Sequence, residues 1–412
     1  MSTAWIDFGG HPSKNGRVRL RLLVQLILLL ASSAAHAQSL AARLDATARL
    51  LEDTVAATFG RSVPLPSASA GVQYAFDPVT GNFQRNPTTF GQVYLDRADA
   101  LGKGRMNVSV SYAYLELDTL DGKPADDLRD PAPIPVTGKQ AAIAIPSFRV
   151  RAAVHQVLLA FTYGFTDDLE ASIALPLIYS DLDVGAETRA AAVLETGDLV
   201  QLRQSVSDPS TPFGQGDLML RSKYRFYRDG PVHLAYGLLL RIPTGDEDDL
   251  QGIGFFEVAP ALLASTRVFE PASWARLQGH LNAGVGFDTE DVASSEIRWG
   301  LGLDWGVTEQ VTAAVAVLAR HQLARVAPAG AFTFNRCTSG LVTCATSRDV
   351  RRGSAPLFGL SSGRFDYYDL SLGGRGGLWR DTLFAFANVI IPLNDGFVRT
   401  EPIPIVGLEA TF

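Results

Sequence analysis

The sequence predicts an all-β protein, a transmembrane antiparallel β-barrel of about 12 strands preceded by an N-terminal helical or irregular segment. Three observations predict this fold class. The 412 residues include 38 glycines and 22 prolines, a composition typical of chains with many strands and turns. From Arg105 onward, apolar and polar side chains alternate along extended runs of the sequence. Beyond Ala37 no uninterrupted apolar segment is long enough for a membrane-spanning helix, so such a chain enters a membrane as strands.

The N-terminal part of the chain has the organisation of a secretory leader. A cluster of arginines that ends at Arg21 precedes an apolar run over residues 22–35, and an Ala-His-Ala sequence ends at Ala37. A charged region, a short apolar region and a small-residue cleavage site are typical of a signal peptide. An uncleaved membrane anchor is the alternative, but the run is shorter than the ~20 apolar residues that a spanning helix needs. We therefore predict a signal peptide over residues 1–37 and an exported chain.

Residues 38–104 are predicted to form a periplasmic N-terminal segment or a hatch. Over residues 39–57 the apolar side chains recur every three or four positions, which indicates an amphipathic helix, and residues 60–104 are rich in proline, serine and glycine. A barrel of about twelve strands is wider than the eight-stranded barrels that side chains fill and narrower than the sixteen-stranded barrels that enclose an aqueous channel. A segment of this length could therefore plug the opening, and a disordered periplasmic tail is the alternative.

Residues 105–412 are predicted to form the barrel. The alternation is clearest over residues 106–114, 218–226 and 232–242, where one face is apolar and the other is small, polar or charged. Short connections alternate with longer loops, and an even number of strands then places both chain ends on the short-turn, periplasmic side. A soluble β-sandwich is the alternative, but it hides its apolar faces between two sheets, whereas nearly every strand here is two-faced over its length.

The polar side chains on the second face of these strands are predicted to line the pore. A charged side chain on the lipid face costs roughly 2–4 kcal/mol at the bilayer midplane, which favours the interior. The predicted pore-lining residues are Arg221, Lys223, Arg225, His233, Arg241, His280, Asn282, Arg298, Asp304, Arg320, Asp369 and Arg375. Together they form a basic wall, which would favour anionic or polar solutes over cations. The alternative is a lumen that Arg–carboxylate pairs and water hold rigid.

Neither a metal ion nor a cofactor is predicted. Cys337 and Cys344 lie close together in a loop-like segment with no histidine at zinc-ligand spacing, so a disulfide in an oxidising compartment is the prediction. The acidic runs at residues 246–249 and 288–291 match no calcium-loop spacing and indicate solvated loop charge. A formal net charge of −7 lacks the basic field that binds phosphate backbones, so nucleic acid is not a predicted partner.

Several turns and their flanking strands resemble a known family. The sequence GQGDLMLRSKYR at residues 214–225, followed by LRIPTGD at residues 240–246, is similar to the MetA-pathway phenol-degradation family of outer-membrane barrels. The sequences ADALGKGR at residues 98–105, YGFTD at 163–167 and IPLND at 391–395 resemble that family's recurring turns. The resemblance extends from about the first of these turns to the C terminus, and it implies no catalytic residues.

The resemblance implies a channel or transporter in the outer membrane of Gram-negative cells, for the passive uptake of small organic solutes that are often aromatic or hydrophobic. The alternating C-terminal strand that ends in Phe412 resembles the signal recognised by the barrel-assembly machinery. The expected partners are therefore outer-membrane lipid, a small solute and that machinery.

Two alternatives from other classes remain, an outer-membrane lipid-modifying hydrolase and a structural barrel with an occluded lumen. A hydrolase needs a serine and a histidine within hydrogen-bond reach at the outer surface. Ser222 and His155 are predicted to face outward, but they lie on non-neighbouring strands. The chain is therefore not predicted to be an enzyme.

Overall fold

The computed structural model describes a chain whose C-terminal three quarters form one closed sheet. The described residues are 59, 74–77, 82–85, 95–129, 134–135, 142–193, 199–228, 230–272, 275–290, 292, 295–323, 331–337, 350–356, 363–379 and 382–412. The predicted signal peptide over residues 1–37 and the predicted helix over residues 39–57 lie outside them, and both stay predictions. Within these ranges, no helix is long and apolar enough to cross a membrane.

Twelve long antiparallel strands form the barrel. They are β1 (Met106–Leu120), β2 (Ala142–Gly164), β3 (Leu169–Val193), β4 (Leu218–Tyr227), β5 (Val232–Ile242), β6 (Glu257–Thr266), β7 (Ala275–Asp288), β8 (Glu296–Gly306), β9 (Val311–Gln322), β10 (Asp366–Trp379), β11 (Leu383–Pro392) and β12 (Ile403–Thr411). Each strand pairs with the next, and β12 pairs back onto β1 with Ile405 opposite Ala113 and Thr411 opposite Asn107. The predicted barrel of about twelve strands is confirmed.

Further strands lie before and between these twelve. A hairpin of Tyr74–Asp77 and Asn82–Arg85 precedes the barrel, and a second one of Ala331–Cys337 and Val350–Pro356 lies between β9 and β10. The strand Leu199–Ser210, of 12 residues, pairs with the outer part of β3. The remaining short strands are Lys123–Pro124, Leu128–Arg129, Ile134–Pro135, Phe213–Gln215, Phe269–Ala272 and Val398–Thr400.

The connections differ in length at the two ends of the barrel. At one end, here called the short-turn end, residues 165–168 join β2 to β3 and residues 307–310 join β8 to β9. At the other, the long-loop end, residues 323–365 join β9 to β10. The first and last strands also meet at the short-turn end, where the backbones of Met106 and Phe412 exchange hydrogen bonds of 3.0 and 2.8 Å. This is the arrangement predicted from the even strand number.

A close approach at the short-turn end requires a glycine. The backbone N–H of Gly104 donates to the carbonyl of Gly164 at 2.7 Å, which fixes the turn before β1 against the end of β2. A Cβ atom on Gly164 would lie only 1.9 Å from the carbonyl oxygen of Gly102. Because the obstructing atoms belong to the backbone of Gly102, which cannot turn aside as a side chain can, only glycine allows β1 to start in this register.

The outer face of the barrel is apolar. On β1 the side chain of Val108 is 47% exposed, whereas Asn107 and Ser111 on the opposite face of the strand are buried. On β5 Tyr236 is 55% exposed and Leu238 is 38% exposed. Outward apolar residues recur on the other strands, among them Leu262, Leu281, Leu301, Leu303, Leu372, Val406 and Leu408. A continuous apolar surface of this kind is not found on monomeric soluble proteins, so the β-sandwich alternative is excluded.

The interior contains one apolar cluster and is polar elsewhere. Phe59, Leu115, Leu120, Val154 and Phe397 are fully buried in this cluster, which lies near the long-loop end, chiefly beside β1, β2, β3, β11 and β12. Buried charged and amide side chains lie on the inner faces nearer the short-turn end, among them Glu170, Lys223, Gln278, His280, Asp304, Arg375 and Glu409. Buried charged side chains also lie near the long-loop end on β5, β6 and β8, among them Arg241, Glu257 and Glu296. The long-loop end is therefore apolar on one side of the barrel only.

A closed sheet predicts a specific electrophoretic behaviour. Because every barrel strand is hydrogen-bonded on both sides, no free edge is present at which detergent can begin to unfold the sheet. In SDS gels we expect the unheated protein to migrate faster than the boiled protein. Identical mobility before and after boiling would contradict a closed barrel.

Candidate functional site

A cavity lies inside the barrel against the inner faces of β3 to β11. Its volume is about 340 Å³, which is within the range of small-molecule sites in proteins. Its charged lining consists of Asp96, Glu170, Arg221, Lys223, Arg241, Glu296, Arg298, Arg320, Asp369 and Arg399. The cavity is therefore the place in the lumen where the structure offers room beside polar groups.

The space exists because small residues occupy the inward positions of four adjacent strands. Gly237 on β5, Ala261 on β6, Gly284 on β7 and Gly300 on β8 all line the cavity. Each neighbouring pair of these strands is held by the regular antiparallel ladder. The wall therefore has little side-chain bulk at these positions. Leu239, Leu263 and Asn282 lie beside them, and the charged groups lie around them.

Two of the lining cations, on β4 and β5, are paired with buried carboxylates. Lys223 Nζ lies 2.8 Å from Glu170 Oε1, and both side chains are buried. Arg241 Nε donates to Asp217 Oδ2 at 2.8 Å. Asp217 also accepts the backbone N–H of Ile253 at 2.9 Å, so this carboxylate attaches the loop after β5 to the wall.

Three more cations form pairs on β6 to β10 and in the connection between β11 and β12. Arg298 contacts Glu257 at 2.6 Å and Glu296 at 2.5 Å. Arg320 lies 3.8 Å from the same Glu296. Arg399 Nη1 donates to Asp369 Oδ1 at 2.8 Å.

The cavity wall carries no net charge when the partners of its cations are included. Arg221, the sixth cation, lies within electrostatic reach of Asp96. Four acids line the cavity, and Asp217 and Glu257 hold Arg241 and Arg298 from behind, so six carboxylates balance six cations among the described residues. The structure thus supports the alternative of a lumen stiffened by ion pairs. The expected anion preference depended on a wall with net positive charge, and the six carboxylates cancel that charge.

Residues 95–101, here called the strap, run along the inner wall toward the short-turn end. Arg97 Nη2 donates to Asp304 Oδ2 at 3.1 Å, and both side chains are 0% exposed. The same oxygen of Asp304 lies 3.0 Å from His280 Nε2, and His280 Nδ1 lies 2.9 Å from Ser265 Oγ. Ser265 Oγ accepts the backbone N–H of Ala98 at 2.9 Å. Three side chains on β6, β7 and β8 therefore form one hydrogen-bonded group that holds Arg97 and Ala98 of the strap.

The strap continues to the inner faces of β3, β4 and β5. Asp99 is hydrogen-bonded to His233 Nδ1 and accepts from Arg225 Nη1 at 3.2 Å. The backbone N–H of Leu101 donates to Glu170 Oε2 at 2.6 Å. Glu170 therefore serves both the strap and Lys223 of the cavity wall.

The strap also forms part of the cavity wall. Leu95 and Asp96 line the cavity. A Cβ atom on Gly300 would lie 2.4 Å from Leu95 Cδ2, so the glycine at this position admits the start of the strap. The cavity is consequently bounded by the strap on the side that faces the short-turn end.

The residues predicted to line the pore fall into three groups. Seven line the cavity, namely Arg221, Lys223, Arg241, Asn282, Arg298, Arg320 and Asp369. Four lie at the strap or bond to residues that hold it, namely Arg225, His233, His280 and Asp304. The last, Arg375, is buried and lies 3.4 Å from Glu409 near the short-turn end. That a solute passes these residues stays a prediction.

The sequence analysis missed the acids that complete these pairs. Glu170, Glu257 and Glu296 follow the same inward alternation as the predicted residues, so that alternation could have identified them. Arg399 lies in the loop between β11 and β12, and Asp99 lies in a segment without regular periodicity. No sequence pattern marks these two.

The two candidates for a hydrolytic site are not brought together. His155 Nδ1 is hydrogen-bonded to Tyr112 Oη at 2.7 Å, and its ring lies 4.9 Å from that of Tyr114. Ser222 is on β4, opposite Leu238 of β5 and Ala171 of β3. No hydrogen bond in the described structure joins His155 to Ser222, so these residues form no serine–histidine pair.

The loop features predicted from the sequence have no ligand role that the structure reveals. Burial and the neighbouring carboxylates of Asp246 and Asp248 raise the pKa of Asp249. Across the part of the chain that the structure describes, no group of three His, Cys, Asp or Glu side chains is arranged to hold a metal ion. Cys344 lies outside the described residues, so its disulfide with Cys337 stays a prediction.

Comparison with known proteins supports the family resemblance. The model of the family described as "Putative MetA-pathway of phenol degradation" matches residues 131–324. The resemblance predicted from the turn motifs therefore agrees with an independent match over these residues. A comparison with curated proteins finds no match.

Solved structures similar to the chain are outer-membrane barrels. The COG4313 outer membrane channel from Pseudomonas putida F1 has a TM-score of 0.40 and 14% identity over 76% of this chain and 98% of that chain. The NanC porin has a TM-score of 0.34 and 8% identity over 74% of this chain and 98% of that one. The P. putida toluene transporter TodX has a TM-score of 0.30 and 8% identity over 75% and 89%. The barrel assignment itself depends on the strand pairing of this chain.

The buried pair between the strap and β8 gives a quantitative prediction. We expect Asp304→Asn to lower the free energy of unfolding by roughly 3–5 kcal/mol, because it leaves the buried Arg97 guanidinium without its counter-ion. Urea unfolding in lipid vesicles measures this change, and trypsin cleavage after Arg97 reports release of the strap.

Asp366→Asn is the matched control for that substitution. Asp366 pairs with His321 at 2.8 Å but is exposed, so its loss should cost no more than about 1 kcal/mol. Equal effects of the two substitutions would show that the strap is not held by its ion pair.

Proposed function

We propose that the protein is an outer-membrane β-barrel channel through which small organic solutes pass passively. The observation that carries this proposal is a closed barrel with an apolar outer face and a polar-lined cavity inside. Strands of about eleven residues, tilted by about 40°, span ~28 Å, close to the ~25 Å apolar band of outer-membrane barrels. A hydrocarbon environment outside and a solute path inside account for both faces.

The family match and the interior favour aromatic or hydrophobic solutes. The matched family is described by its connection with phenol degradation. One side of the long-loop half of the lumen offers buried apolar side chains such as Leu115, Val154 and Phe397, whereas water-filled general porins have polar interiors. A solute with an apolar ring would be compatible with this half and would then meet the polar cavity.

Residues 38–104 act, in this proposal, as a hatch below the cavity. The ion pairs of Arg97 and Asp99 with the barrel wall support this role. Phe59, which belongs to the same N-terminal segment, is fully buried in the apolar cluster near the long-loop end. Passage would then require the strap to move, because it bounds the cavity toward the short-turn end.

Export and insertion follow the route expected of such barrels. The signal peptide over residues 1–37 would direct the chain through the periplasm. Phe412, exposed at the end of β12, would belong to the signal that the barrel-assembly machinery reads. The proposal assigns no enzymatic step, since the outward residues Ser222 and His155 do not meet.

The strap also favours a second candidate, a structural barrel with an occluded lumen. Conductance in planar lipid bilayers separates the two functions. For the channel, we expect small single-channel steps for the wild-type protein and larger or more frequent steps for Asp304→Asn, because the strap loses its buried ion pair. No conductance from either protein, with both inserted and closed by the gel assay, would favour the occluded barrel.

A further inference from the structure

We infer that the cavity is a binding site for an uncharged ring compound with a hydrogen-bonding substituent, and that it discriminates against ions of either sign. This inference rests on the proposed function, because it names the solute class that the channel would take. Four observations support it: the size of the cavity, its flat wall, the pairing of its charged side chains, and the side-chain amide oxygen of Asn282.

The size suits one ring with a substituent. An apolar cavity of about 150 Å³ is enough to bind benzene, and this one has about 340 Å³. A single substituted ring therefore fits together with a few water molecules. Larger multi-ring compounds would have to displace the strap.

The shape of the wall suits a flat ring. Gly237, Ala261 and Gly284 present nearly bare backbone on three adjacent strands. Arg298, whose side chain is 36% exposed, lies beside this surface. A planar guanidinium stacks on or lies over aromatic faces, as Arg320 already does over the ring of Tyr367 at 4.4 Å.

Charge pairing sets the discrimination. A bound anion would have to compete with Glu257 and Glu296 for Arg298. A bound cation would have to compete with Lys223 for Glu170, or with Arg399 for Asp369. Separating a buried pair leaves an uncompensated charge, which is strongly unfavourable. An uncharged compound leaves every pair in place.

One polar side chain is placed to bind the substituent. Asn282 lines the cavity, and its Oδ1 is buried with no hydrogen-bond partner among the described residues. A buried amide oxygen without a partner is unfavourable unless a ligand or water satisfies it. A hydroxyl group on the ring could donate to this oxygen.

Equilibrium binding to the purified full-length protein in detergent micelles tests the inference, with empty micelles as the blank. Benzyl alcohol, benzoate and benzylamine carry the same ring and differ at pH 7 in the charge of one substituent. We expect benzyl alcohol to bind at least tenfold more tightly than either ion. Equal affinities, tighter binding of an ion, or no binding of benzyl alcohol would overturn the inference.

A cavity-filling variant locates the site. A Cβ atom on Gly237 would lie 3.5 Å from Leu263 Cδ1, an ordinary contact, so Gly237→Leu should fold and fill the cavity. We expect it to weaken benzyl alcohol binding at least tenfold. Gly376→Leu is the control, because its Cβ also has room, at 3.7 Å from the carbonyl of Gln310, and it does not line the cavity. Equal binding by both variants would place the ligand elsewhere.

A charge variant tests the reason for the discrimination. Glu296→Gln removes one carboxylate from the Arg298 and Arg320 pairs, so we expect benzoate to bind about tenfold more tightly than to the wild-type protein. Unchanged benzoate binding would contradict the role of charge balance. Because these assays need no transport, retained binding with no conductance would overturn the channel and leave the binding site standing.

Discussion

The pairing of β12 with β1 satisfies the backbone of all twelve strands within one sheet, and a spanning structure in hydrocarbon needs this because no water is there to replace a missing hydrogen bond. Closure fixes the two faces of every strand. The outward face must be apolar, as Val108, Tyr236 and Leu262 show. Within the apolar band the charged side chains of the strands then lie inside, as Lys223, His280 and Asp304 show.

Charges confined to a narrow lumen have to be balanced there. The strap and the cavity wall balance them by sharing carboxylates. Glu170 contacts Lys223 of the wall with one oxygen and accepts the backbone N–H of Leu101 of the strap with the other. Asp304 likewise joins the wall residue His280 to Arg97 of the strap. A ligand that disturbed Lys223 would therefore act on a carboxylate that also holds the strap.

The barrel could be predicted from the sequence because apolar and polar side chains alternate along each strand, and this alternation indicates which of them face outward. The same rule located inward residues such as Arg298 and Asp304, and it applies equally to Glu296, which the prediction left out. It could not reveal that Arg97 crosses to Asp304, because that contact joins positions distant in sequence and Arg97 lies outside any periodic segment. Such contacts decide which carboxylates lie beside the cations of the lumen. The predicted basic wall therefore differs from the balanced wall that is observed.

Adjacent residues of one strand face hydrocarbon and lumen in turn, and the other features of the barrel depend on this alternation. Spin labels at Ala261→Cys, which lines the cavity, and Leu262→Cys, which faces outward, test it in lipid bilayers after Cys337 and Cys344 are replaced by serine. We expect frequent collisions with dissolved oxygen and few with a water-soluble nickel complex for the label at 262, and markedly fewer oxygen collisions for the label at 261. Equal collision rates at the two positions, or a label at 262 that meets the nickel complex, would contradict the account.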